Sequence, residues 1–121
     1  MAEFYIGLMS GTSLDGVDGV IARFDDLGGL DVLAHATSPL PDALRAELFA
    51  LNSPGGQDEL HRAALAANGL ARVYAEVVGQ LLASTPEARG AIRAIGAHGQ
   101  TIRHRPLEFD GVGYTLQLNN P

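Results

Sequence analysis

The sequence predicts an α/β domain on a mixed β-sheet, in which a three-stranded antiparallel meander is extended by parallel strands and covered by packed helices. Three observations predict it. Three apolar runs of strand length follow one another near the start, separated by clusters of Gly, Ser, Thr and Asp. A long stretch with apolar residues at three- and four-residue steps comes next. Another apolar run follows it, and a helical crossover is how parallel strands are joined.

Phe4 to Met9 is a continuous apolar run that breaks at Ser10-Gly11-Thr12, as a buried strand bounded by turn residues would. Val17 to Phe24 has strand character and ends in Asp25-Asp26 and Gly28-Gly29, so the two runs make a hairpin around a polar loop. Leu30 to Leu40 completes the meander, stopped by Pro39 and Pro41. Pro41-Asp42 opens a helix with Leu44, Leu48 and Leu51 on its apolar face, and Ser53-Pro54-Gly55-Gly56 closes it. The stretch from Asp58 to Leu82 is the clearest helix, ended by Ser84-Thr85-Pro86. Ile92 to Ala97 is the strand after the crossover, with His98-Gly99-Gln100-Thr101 at its carboxyl end, and Gly111 to Leu118 alternates as a last strand.

Composition narrows the chemistry. The chain has 121 residues, enough for one domain with a core, and a formal charge of −6. All eight basic residues are Arg. Without Lys a Walker loop cannot be completed, so phosphate must be held by backbone N–H groups, hydroxyls, Arg or a metal. The closest basic pair is Arg103 with Arg105, which is no footprint for nucleic acid. The absence of Cys removes disulfides, thiolate zinc and a Cys nucleophile. Phe4 to Met9 is too short for a membrane span and lacks the basic flank of a signal peptide, which favours the cytoplasm and no membrane partner.

Two clusters carry the candidate chemistry. Ser10 to Asp18 holds two glycines, three hydroxyl residues and two carboxylates. Gly11 and Gly16 allow close backbone approach and positive φ, Ser10, Thr12 and Ser13 can donate to phosphate oxygens, and turn amides can form an anion nest. Asp15 and Asp18 can orient Mg²⁺, directly or through water. The Gly11 and Gly16 spacing matches a Walker loop, but Val17-Asp18 stand where Lys and Ser or Thr are needed, and no dinucleotide fingerprint is present. By residue type alone an ordinary hairpin turn remains the alternative. In the second cluster, His98, Gly99, Gln100 and Thr101 follow a strand end, where open α/β sheets gather ligands. Gln and Thr suit sugar hydroxyls and an N-acetyl group, and Gly99 admits a ligand to the backbone. Satisfied loop histidines are the alternative for His98 and His104, whose spacing fits no usual zinc site.

Tyr5 to Asp18 resembles the opening signature of the anhydro-N-acetylmuramic acid kinases, members of the actin, hexokinase and Hsp70-like superfamily, and Gly96 to Pro106 resembles a second block of that family. The resemblance spans Tyr5 to Leu118. It implies a ribonuclease H-like or actin-like ATPase domain, residues 1–121 forming the amino-terminal phosphate- and sugar-binding part of a larger two-lobed kinase. Gly11, Thr12, Ser13, Leu14, Asp15, Gly16, Val17 and Asp18 would then form the ATP-phosphate loop, with Asp15 and Asp18 toward Mg²⁺. His98, Gly99, Gln100 and Thr101 would face the sugar. Many superfamily members carry an Asp just before the glycine turn, where this chain has Met9-Ser10. The expected general base is an Asp of a D-F-R-type segment, which does not occur up to Pro121, so no catalytic residue is assigned within these residues and they are expected to be inactive alone.

The implied reaction is ATP-dependent phosphorylation of 1,6-anhydro-N-acetylmuramic acid with hydrolytic opening of the anhydro ring, in peptidoglycan recycling. The implied partners are ATP, Mg²⁺ and an amino sugar, without nucleic acid or membrane, and a homodimer is compatible. Another sugar or acyl-phosphate kinase of the superfamily and a noncatalytic nucleotide-binding module are the alternatives.

Overall fold

The computed structural model describes residues 3–11 and 13–121. Strands β1 (Glu3–Ser10), β2 (Gly16–Phe24) and β3 (Leu30–Pro39) form the antiparallel meander. Helices α1 (Asp42–Leu51) and α2 (Glu59–Ser84) follow, then a 3-10 turn at Pro86–Ala88. The crossover through α2 returns β4 (Ile92–His98) parallel to β1, giving a mixed sheet of order β3-β2-β1-β4.

One face of this sheet is the core. Ile6 and Leu8 of β1 lie beside Ile21 and Gly19 of β2, and these stand beside Ala34 and Ala36 of β3. Leu70, Val73, Tyr74, Val77 and Leu81 recur along α2 at three- and four-residue steps and are buried against that face. Gly19 makes the contact close. A Cβ there would stand 2.5 Å from Cγ1 of Val77 and 3.1 Å from Cδ1 of Leu81, so α2 rests directly on the β2 backbone.

The end of the chain departs from the sequence expectation. Residues after His98 do not form a loop, because Gly99 is the single break before strand β5 (Gln100–Pro106). Strand β6 (Gly113–Leu118) pairs antiparallel with β5 in a separate two-stranded sheet and does not join the main one. Arg103 fastens this hairpin to the helices. Its Nε donates to the Leu51 carbonyl at 2.9 Å and a terminal nitrogen donates to Glu59 at 2.7 Å, satisfying the carboxyl end of α1. The bond from Arg103 is the main reason the Glu59 carboxyl is held below its ordinary range, helped by the Gly56 amide.

Candidate functional site

The β1–β2 connection is short and anchored at its middle. Leu14 is buried in the core with φ at 58°, and its amide donates to the Gly11 carbonyl at 3.2 Å. By residue type Gly11 and Gly16 are free to take positive φ. Neither has it, and among the described residues of this turn Leu14 adopts that conformation instead. Gly16 serves another purpose, since a Cβ there would meet the Ser38 carbonyl oxygen at 2.5 Å. It lets β3 close against the hairpin.

The loop residues separate by direction. Leu14 and Val17 face the core, so they can offer a ligand only main-chain groups. Ser13 and Asp15 are exposed, and Gly11 is half-buried. Thr12 lies outside the described residues. Ser13 and Leu14 line a recess of about 410 Å³ with Asp42, Arg45, Ala46 and Phe49 of α1. Arg45 is the residue that sequence reasoning passed over. Its guanidinium stands 3.7 Å from the Asp15 carboxylate, bringing a cation beside the loop although 30 residues separate them. Only the fold reveals that proximity.

Asp18 belongs to the other face of the sheet. It accepts a hydrogen bond from the Thr37 hydroxyl and lies 3.4 Å from Nε2 of His35. Register sets Thr37, Asp18, Met9 and His98 side by side across β3, β2, β1 and β4. Asp18 and His98 thereby share an open groove of about 480 Å³ with Gly7, Met9, His35 and Gly96. The two carboxylates assigned to Mg²⁺ thus have different partners, Arg45 for Asp15 and Thr37 with His35 for Asp18. Among the described residues no cluster of three or more His, Cys, Asp or Glu could cage a metal.

The second cluster is built by β4, β5 and β6 together. The Tyr74 hydroxyl of α2 donates to the His98 carbonyl, fixing the end of β4. Gln117 of β6 reaches back, its amide nitrogen 3.2 Å from Nε2 of His98 and 3.4 Å from the Thr101 hydroxyl. Gly99 is needed because a Cβ there would stand 2.6 Å from the Leu118 carbonyl oxygen. His104 pairs with the Thr115 hydroxyl at 2.8 Å on the exposed face of the second sheet, as a satisfied histidine.

The two clusters meet. Ser10, 2% exposed at the end of β1, donates its hydroxyl hydrogen bond to Oε1 of Gln100, 1% exposed at the start of β5. The Gln100 amide nitrogen donates to the Thr101 carbonyl at 3.2 Å. Gln100 is therefore beneath the surface, while His98 is exposed and Thr101 half-buried beside it.

A mixed sheet ending in a glycine- and hydroxyl-rich hairpin, with a polar segment at the same end of the neighbouring parallel strand, is consistent with an ATPase domain of the actin and ribonuclease H-like type. Residues 3–121 match the family model for anhydro-N-acetylmuramic acid kinase, and the chain belongs to that family. It is 68% identical over 119 residues to an anhydro-N-acetylmuramic acid kinase of Variovorax paradoxus, covering 98% of this chain and 31% of that protein. The identically named proteins of Bordetella avium and Cupriavidus metallidurans are 61% and 54% identical, over 97% and 99% of this chain and 29% and 31% of theirs. The chain thus spans about 31% of the length of such relatives. No helix among the described residues is long and apolar enough to cross a membrane.

Proposed function

We propose that these residues are the amino-terminal, nucleotide- and sugar-facing part of a two-lobed kinase that phosphorylates 1,6-anhydro-N-acetylmuramic acid. In the proposed reaction water adds at the anomeric carbon and gives up a proton, the bond from that carbon to O6 breaks, and O6 takes the γ-phosphoryl group of ATP as its bond to ADP breaks. The products are N-acetylmuramic acid 6-phosphate and ADP, which suits cytoplasmic recycling of peptidoglycan.

Family membership over residues 3–121 carries the reading. The geometry supports it by bringing the hairpin of Gly11 to Asp18 and the segment His98, Gly99, Gln100 and Thr101 to one end of the sheet, in contact through Ser10. Main-chain groups of Gly11 to Val17 and the hydroxyls of Thr12 and Ser13 hold the polyphosphate, with Arg45 as the adjacent cation. Asp15 and Asp18 orient the Mg²⁺ that accompanies ATP, which neutralises phosphate charge when bound. His98 and Thr101 face the sugar, and Gln100 supports them from below. Alignment of water, γ-phosphate and O6 is what the reaction needs most, and both lobes must contribute to it.

A phosphoryl-transfer assay of the whole protein tests this directly. Turnover of the anhydro sugar, with ordinary hexoses inert, is the expected result. Hexose or carboxylate phosphorylation without anhydro-sugar turnover would assign another kinase of the superfamily. Nucleotide binding with no transfer to any acceptor would leave a binding module.

A further inference from the structure

A buried hydroxyl and a buried amide 90 residues apart are joined where an apolar contact would have filled the space. Both side chains are cut off from water, so each depends on the other to satisfy its polar atoms. Their positions give the bond its meaning. Ser10 immediately precedes Gly11 of the hairpin, and Gln100 immediately precedes Thr101 of the segment at the end of β4. Along β5, Gln100 and Ile102 are buried, whereas Thr101 between them meets Gln117 on the opposite side. A shift of Gln100 toward or away from Ser10 would therefore carry Thr101 with it.

We propose that Gln100 is a positioning residue that couples the phosphate hairpin to the sugar-facing segment through Ser10. The proposal rests on the kinase reading and changes the part Gln100 plays in it. At 1% exposure its amide does not reach a ligand, and both ends of that amide are occupied by Ser10 and the Thr101 carbonyl. Buried polar pairs of this kind fix the relative alignment of the elements that carry them. Here the elements are the two that meet different substrates, so filling one site sets the geometry of the other.

The full-length protein and its Ser10→Ala, Gln100→Leu and doubly substituted variants test this by steady-state kinetics. Each single substitution should raise KM for ATP and for the anhydro sugar together, by about fivefold or more, as expected of coupled sites. The double variant replaces both partners with apolar groups, which favours folding, and should show no larger rise because the same bond is lost only once. If the single variants do not fold, the double variant alone decides: raised KM for both substrates supports the tether, and wild-type values overturn it. A Gln100→Leu effect on the sugar alone would overturn it too, making Gln100 a direct ligand. Wild-type turnover is the control on the kinase reading. Should that control fail, hydrogen exchange still decides the tether. Faster exchange at residues 11–15 in Gln100→Leu supports it, and a change confined to residues 98–106 refutes it.

Discussion

The two faces of the four-stranded sheet are made by the same strands and do opposite things. On one, Ile6, Leu8, Val17 and Ile21 are sealed beneath α2. On the other, Met9, Asp18, His35 and His98 stand exposed around a shallow groove, with Met9 and Asp18 each one residue from the sealed set. The alternation of a β-strand suffices to place a sealed surface and an open one within a few ångströms of each other. Substitutions on the sealed face should act on folding, and substitutions around the hairpin rim should act on turnover.

The largest effect is expected on the sealed face. Ile21 is fully buried, and Ile21→Ala should cost about 2–5 kcal/mol of stability through lost burial and the cavity left behind. Gly19→Val, which drives atoms into Val77 and Leu81, should cost about 1–3 kcal/mol. Denaturant unfolding of the full-length protein measures both.

At the rim the prediction reverses. Among the described residues a Cβ on Gly11 would meet the Ser13 hydroxyl at 3.8 Å, an ordinary contact that leaves room for it. Gly11→Val and Asp15→Asn should therefore keep the wild-type melting temperature and lower ATP turnover by about tenfold or more. A drop in melting temperature that matched the loss of activity would erase the distinction between the two regions.

A smaller effect comes from the Arg103 clamp between β5 and the helices. The folded Glu59 carboxyl titrates below its ordinary value of 4.5, so deprotonation favours the folded state. Its contribution is complete above that value and fades as pH falls through the lower, folded one. The stability difference between wild type and Glu59→Gln should be present at neutral pH and shrink in acid. The smallest effect is expected at Thr85, whose buried hydroxyl has no hydrogen-bond partner among the described residues. Thr85→Val keeps the shape, discards that hydroxyl, and should be neutral or raise stability by about 1 kcal/mol in the same unfolding measurement.

The meander, both helices and β4 were legible because each announces itself locally. Phe4 to Met9 is an unbroken apolar run, and α2 repeats its apolar residues over 26 positions. Strand β5 was not legible. Ile102 is the one aliphatic residue between Gln100 and Pro106, and the Arg residues around it mask the alternation that pairing with β6 brings out. The candidate site divides in the same way. The residue types at Gly11 to Asp18 and at His98 to Thr101 could be read directly, whereas Arg45 beside Asp15 and Ser10 beneath Gln100 are juxtapositions that only tertiary structure creates. The left-handed residue of the hairpin fell on Leu14 and not on glycine, because the core holds its side chain strongly enough to impose that backbone conformation.

That leucine limits how the hairpin can move. A connection free between its two ends could swing across a nucleotide like a flap, whereas this one has its crown plugged into the hydrophobic interior. On the proposed reading, a triphosphate would meet a hairpin whose crown the core already holds in place before it arrives.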